Sequence, residues 1–106
     1  RTNKVLAQQI TSGLKSIKNT SNIIIAYEPV WSIGTGLIPK PNDLSNSISF
    51  IKSKFRKKTP KVLYGGSVNN KNITEIKDIN VIDGFLIGGA SQSSKKFIDI
   101  IKKTFN

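Results

Sequence analysis

Residues 22–28 read Asn22-Ile23-Ile24-Ile25-Ala26-Tyr27-Glu28. The apolar run is short and β-branched, has no polar alternation, and stops on a carboxylate. Such runs suit a parallel strand covered on both faces by helices. The pattern predicts a strand over 22–27, buried on both sides, with Glu28 as the first residue past its carboxyl end. Two shorter segments repeat the arrangement. Lys61 to Tyr64 reads as a second strand, stopped by Gly65-Gly66-Ser67. Gly84 to Ile87 reads as a third, stopped by Gly88-Gly89-Ala90-Ser91.

Helical periodicities surround these strands. Val5, Leu6, Gln9, Ile10, Leu14 and Ile17 recur at helical spacing over residues 1–17, interrupted by Gly13. After a loop from Pro29 to Pro41, Leu44, Ile48, Ile51 and Phe55 form one face of a helix reaching Lys57, with Asn42 or Asp43 as its cap. A short helix is expected over Asn72 to Asp78. A closing helix is expected over Ser94 to Thr104, with Phe97, Ile98, Ile101 and Phe105 turned inward. One helix followed by three strand–helix units implies an α/β fold with a parallel sheet. Three strands are too few to close a barrel, so the 106 residues read as one partial domain of a larger structure, opening in mid-helix as a truncated chain would.

Composition narrows the chemistry. There is no cysteine and no histidine, so thiolate chemistry, disulfides and the commonest metal ligand and general acid/base are absent from this sequence. No cofactor or metal is expected. No apolar run approaches the ~20 residues of a membrane span, and a cytoplasmic location is expected. The net charge of +11 raises a nucleic-acid reading. Against it, fifteen of the seventeen basic residues are lysine, scattered over helical segments apart from one denser run at Lys52, Lys54, Arg56, Lys57, Lys58 and Lys61. Base-reading sites favour the arginine fork, and no nucleic-acid motif accompanies the charge.

Parallel α/β folds place ligands at the carboxyl ends of their strands. Of the six acidic residues, Asp43 has a capping reading, Glu75, Asp78 and Asp99 fall on helices, and Asp83 precedes a strand. Glu28 alone directly follows a buried apolar run. A carboxylate there is expected to be partly desolvated and therefore a stronger base. On position alone it reads equally as a structural partner of a lysine. The paired glycines at neighbouring strand ends let backbone N–H groups approach an anion closely. They favour a phosphate site over two tight turns, with Ser67 as a further donor.

Longer motifs run through these same positions. Ala26-Tyr27-Glu28-Pro29-Val30-Trp31-Ser32-Ile33-Gly34-Thr35-Gly36 resembles the AYEPVWAIGTG signature of the triosephosphate isomerase family, with Ser32 where alanine is usual. Tyr64-Gly65-Gly66-Ser67-Val68 matches the family's YGGSV. Asp83 to Ser91 matches its DGFLVGGAS, with Ile87 for valine. The resemblance implies the C-terminal part of a (β/α)8 TIM barrel, from its fifth helix to its eighth, including its last three strands.

It further implies that Glu28 is the base interconverting dihydroxyacetone phosphate and glyceraldehyde 3-phosphate through an enediolate, a step of glycolysis and gluconeogenesis. Pro29 to Pro39 would be a lid hinged at Pro29-Val30-Trp31. Gly34, Ser67, Gly88 and Gly89 would hold the substrate phosphate. The family is itself a standing example of a glutamate base, a neutral histidine electrophile and a closing loop. Here the histidine, the active-site asparagine and lysine, a second glutamate and the dimer loop would belong to the absent N-terminal part. The expectation is a fragment inactive alone and a homodimer when complete, binding a phosphorylated triose and neither nucleic acid nor membrane. The alternative is a half-barrel that grips phosphate esters without catalysis.

Two departures carry expectations of their own. Lys52 stands where many members place an arginine opposite Asp83, so that pair should be single-pronged. Pro39 stands where many members use a backbone N–H to bond the tyrosine of YGGS when the lid closes. Proline has no N–H, so Tyr64 cannot make that bond.

Overall fold

The computed structural model describes residues 2–17, 22–29, 32, 34–55 and 58–105. Arg1, Val30, Trp31, Ile33, Arg56 and Lys57, which the sequence reading assigns to a helix, the lid and the basic run, lie outside them. Along the chain run α1 (Thr2–Gly13), β1 (Ile24–Tyr27), α2 (Pro41–Ser53), β2 (Lys61–Tyr64), α3 (Ile73–Ile76), β3 (Gly84–Phe85), a 3-10 turn (Gly89–Gln92) and α4 (Ser94–Thr104). The strands form one sheet in the order β1-β2-β3. Both pairings are parallel, with Tyr27 beside Tyr64 and Tyr64 beside Phe85. The α/β class and the parallel sheet therefore stand.

Side-chain alternation shows how the sheet is covered. Ile25, Tyr27, Val62, Tyr64 and Phe85 share one face through the strand register. That face meets the core built from Leu6 of α1, Leu44, Ile48 and Ile51 of α2, Ile73 and Ile76 of α3, and Ile100 of α4. The opposite face carries Ile24, 65% exposed, together with Ala26 and Leu63. The expectation that β1 is buried on both faces is therefore wrong for the described residues. Its apolar run would suit a two-sided covering, but the helices cover one side only. Val62 and Tyr64 of the central strand are fully buried.

Element ends differ from the sequence reading for local reasons. α1 stops at Gly13, and Leu14 and Ile17 continue in turns rather than in the helix. α2 starts at Pro41, not at a side-chain cap on Asn42 or Asp43. Proline's fixed φ and missing N–H suit the first helical position, and the first helical bond runs from Leu44 N–H to the Lys40 carbonyl at 2.9 Å. α2 ends at Ser53 because the N–H groups of Lys54 and Phe55 turn back to Ile51 and Lys52 at 3.1 and 3.2 Å, tightening the last turn. The short helix keeps only Ile73–Ile76 of the expected 72–78.

β3 keeps two residues of an expected four. Its ladder gains one more bond, Leu86 N–H to the Tyr64 carbonyl at 3.0 Å, but β2 then turns off at Gly65-Gly66 and leaves no partner. α4 runs as expected, capped by the Ser93 hydroxyl, which accepts from Lys96 N–H. Its buried residue is Ile100, whereas Ile98, Ile101 and Phe105 are exposed and Phe97 is half-buried. Phe97, Ile101 and Phe105 instead line an open groove beside Phe85 and Ile87.

Candidate active site

The three strands end side by side, so the loops that leave them are neighbours. In register, Glu28 follows Tyr27 beside Gly65, which follows Tyr64, and the Gly65 N–H continues the ladder to the Tyr27 carbonyl at 2.9 Å. A Cβ built on Gly65 would come within 2.7 Å of both Cγ and Oε1 of Glu28. The carboxylate lies over the bare Gly65 backbone, and any side chain there would push it away. Glu28 is exposed rather than partly desolvated as expected. It sits on the uncovered side of β1, at the rim of a cleft that also includes Val5, Ile10 and Tyr27.

The loop after β1 is pinned onto the end of β2. Gly34 and Gly36 take φ of +70° and +78°, a region that costs other residues energy, so the loop's turn depends on glycine at both. The Gly36 N–H donates to Ser67 Oγ at 2.9 Å. Ser67 Oγ in turn donates to the Ser32 carbonyl. Thr35 Oγ1 donates to that same carbonyl at 3.2 Å and accepts from the Leu37 N–H at 3.1 Å. Ser67 is thus tied to this loop at both Gly36 and Ser32.

Ser32 is fully buried, and its hydroxyl is the centre of this network. It donates to the Leu37 carbonyl at 2.6 Å, accepts from the Ser67 N–H at 3.1 Å, and lies 2.8 Å from the Tyr64 hydroxyl. A serine has one proton to give. With it committed to Leu37, the Tyr64 O–H must be the donor to Ser32. Burial pushes the Tyr64 phenol above its ordinary pKa, only partly offset by the bond to Ser32, which keeps it a neutral donor. Gly66 makes the approach possible, since a Cβ there would sit 2.6 Å from Ser32 Oγ.

Asparagines shape the loop after β2. Asn69 Oδ1 accepts from the Lys71 and Asn72 N–H groups, each at 2.8 Å. Asn72 Oδ1 accepts from the Asn69 N–H, and its Nδ2 donates to the Ser67 carbonyl at 2.9 Å. Asn72 thereby fixes the backbone from which Ser67 projects. This role is not assigned from the sequence alone, although the polar cluster behind Gly65-Gly66-Ser67 is its signal. Nor does the sequence alone assign a role to Ser32, although Ser32 is the residue that departs from the motif.

The loop after β3 is open. Gly88 and Gly89 are exposed, and a Cβ on either would meet nothing within 4 Å. Ser91 turns back on the loop, its N–H and hydroxyl both donating to the Gly88 carbonyl at 2.9 and 2.6 Å. Further from the strand ends, Lys52 Nζ lies 2.9 Å from Asp83 Oδ2, which also accepts from the Val62 N–H at 2.8 Å. The pair is single-pronged, as expected. Burial alone would raise the Asp83 pKa, but the Val62 bond and the charges of Lys52 and Lys61 outweigh it and hold the carboxyl below its ordinary value.

A parallel sheet whose strand ends carry a carboxylate, glycine-rich loops and a loop pinned to the neighbouring strand end defines an α/β protein of the strand–helix-repeat kind, with its candidate site at the carboxyl edge. The family model "Triosephosphate isomerase" matches residues 1–104. The chain belongs to that family. It is similar to the triosephosphate isomerase of Candida albicans, 44% identical over 105 residues that cover 92% of this chain and 42% of the relative. It is 43% identical to that of Saccharomyces cerevisiae over 108 residues, 95% of this chain and 43% of the relative. It is also 43% identical to that of Mycoplasma mobile over 102 residues, 96% of this chain and 42% of the relative. The chain thus spans about two-fifths of the length of the curated relatives it matches.

Proposed function

We propose that these residues form the proton-transfer and phosphate-holding portion of a triosephosphate isomerase, the C-terminal part of a (β/α)8 barrel. The observation that carries this reading is the meeting of Glu28 and the pinned lid at one edge of the sheet, with the Glu28 carboxylate resting on the Gly65 backbone. In the reaction, the Glu28 carboxylate takes the proton from C1 of dihydroxyacetone phosphate. The C–H electron pair moves into the C1–C2 bond, and the carbonyl oxygen becomes the enediolate oxygen. The C1 hydroxyl proton passes to the C2 oxygen, the C1–O bond becomes the aldehyde carbonyl, and the proton held by Glu28 returns to C2 to give glyceraldehyde 3-phosphate. Gly34, Gly88 and Gly89 hold the phosphate, and Ser67 joins them when the substrate draws its N–H away from Ser32. Gly88, at φ −91° and ψ −103°, takes a backbone conformation outside the regions that residues with side chains favour. Gly89 lacks positive φ and has no close neighbour among the described residues, and close approach of an anion to its backbone accounts for glycine there.

A pinned lid excludes water, which strengthens the base and protects the enediolate. The sequence holds no histidine, so the group that polarises the substrate carbonyl comes from outside these residues. The completed enzyme is a cytoplasmic homodimer acting on a small phosphorylated triose. No helix among the described residues is long and apolar enough to cross a membrane.

The test is complementation. The 106-residue chain is assayed alone and again after joining it to the N-terminal portion of the Saccharomyces cerevisiae relative. No turnover is expected from the chain alone, and isomerase turnover from the joined protein. Substantial turnover by the chain alone would overturn the incomplete-site reading. A folded joined protein without isomerase activity would overturn the enzyme reading.

A further inference from the structure

We propose that Ser32 is the latch of the lid, a positioning residue whose hydroxyl gives Tyr64 a bonding partner on the lid that Pro39, lacking an N–H, cannot supply. The proposal rests on the isomerase reading for its effect on turnover, but the latch itself stands on geometry. Tyr64 points a fully buried hydroxyl at the lid. Pro39 has no N–H to donate there, and the Tyr64 hydroxyl instead donates to Ser32 Oγ at 2.8 Å.

The same oxygen ties three parts of the site together. It reaches the lid's trailing arm through the Leu37 carbonyl at 2.6 Å, the end of β2 through Tyr64, and the phosphate-side loop through the Ser67 N–H at 3.1 Å. One donated and two accepted bonds use the capacity of a serine hydroxyl in full. Alanine at this position could make none of them. Among the described residues no buried side-chain nitrogen or oxygen lacks a partner. Ser32→Ala would create the first such orphan at the Tyr64 hydroxyl.

The latch gives a coupling that a merely buried serine would not. Tyr64→Phe and Ser32→Ala each break the same Tyr64–Ser32 bond, so their effects must overlap. In the joined protein, Ser32→Ala is expected to lower kcat about tenfold, the scale of one or two neutral hydrogen bonds. Tyr64→Phe should lower it a few-fold. The double variant should be no worse than Ser32→Ala, because removing the stranded hydroxyl costs nothing further.

Amide hydrogen exchange supplies a readout independent of turnover. Ser32→Ala should speed exchange at the Ser67 and Gly36 N–H groups at least tenfold and leave the β2 amides unchanged, and Tyr64→Phe should show a smaller rise at the same two amides. Losses in kcat that multiply independently, or unchanged exchange at Ser67 in both variants, would overturn the latch. Absence of activity in the unsubstituted joined protein overturns the isomerase reading alone, since exchange still decides the latch.

Discussion

The loops after β1 and β2 differ sharply from the loop after β3, although all three leave the same edge of one sheet. The first two are cross-bonded through Ser32, Gly36, Tyr64 and Ser67 and braced internally by Thr35 and Asn72. The third leaves Gly88 and Gly89 exposed, with open space where a side chain would stand. Glycine therefore answers to different demands in the two regions. At Gly34, Gly36, Gly65 and Gly66 the chain's own geometry requires it, through positive φ or a neighbour too close for a methyl group. At Gly88 the backbone, at φ −91° and ψ −103°, still makes a demand of its own, whereas at Gly89 none of the described residues does, so Gly89 is where a demand from a bound group can be tested. Substitutions can break or sharpen this contrast.

The largest effect is expected at the residue both regions serve. Glu28→Gln in the joined protein should lower kcat by roughly 10²–10⁴-fold, the usual contribution of a positioned general base. KM should change little, and steady-state kinetics checks both. Near-normal turnover would remove Glu28 from the role of base. Gly65→Ala should follow at about 10²-fold, because a methyl group displaces the Glu28 carboxylate and proton transfer tolerates little misplacement. The displaced atoms belong to a flexible side chain, so the melting temperature should hardly move. A large loss of stability instead would mean that Gly65 serves the fold rather than the base.

Gly36→Ala and Gly89→Ala test the contrast directly. At Gly36 the φ of +78° makes alanine strained, and the lid should loosen with a loss of about 1 kcal/mol or more. At Gly89 alanine should leave stability unchanged or raise it by about 0.4–1 kcal/mol, while KM and the inhibition constant for inorganic phosphate rise several-fold. If Gly89→Ala leaves phosphate inhibition intact, the open loop is not an anion site.

The smallest effect lies away from the site. Lys52→Ala should cost about 0.2–1 kcal/mol, since both partners are partly exposed and the pair is screened by solvent. The Asp83 carboxyl is held below its ordinary value, so its contribution is fully present above the unfolded-state pKa. It is lost as pH falls through the lower folded-state value. Urea unfolding at neutral and strongly acidic pH should show the Lys52→Ala penalty at the first and not at the second.

The parts of this molecule legible in sequence are those set by local pattern. β2 is bounded by Pro60 and Gly65, and α4 by the capping hydroxyl of Ser93 and its own apolar spacing. Both fall where the sequence reading puts them. β3 was overextended because its length is set by where β2 turns away, which its own residues do not encode. β1 was read as buried twice over because an apolar strand records what it is suited to, not what covers it. The carboxylate and the glycine pairs were visible because parallel sheets gather function at one edge. Ser32 was not, because its role is a contact across 35 residues with Ser67 and 32 with Tyr64.

The bare face of the sheet has a thermodynamic consequence. Ile24 and Leu86 stand 65% and 47% exposed, so part of the free energy that would hold this sheet has to come from whatever covers it. Covering by a segment of the same polypeptide is a unimolecular event, and the unfolding midpoint is then independent of protein concentration. Covering by a separate polypeptide obeys mass action, and the midpoint climbs with the logarithm of the partner's concentration. A dilution series followed by thermal melting therefore distinguishes a sheet finished in cis from one finished in trans.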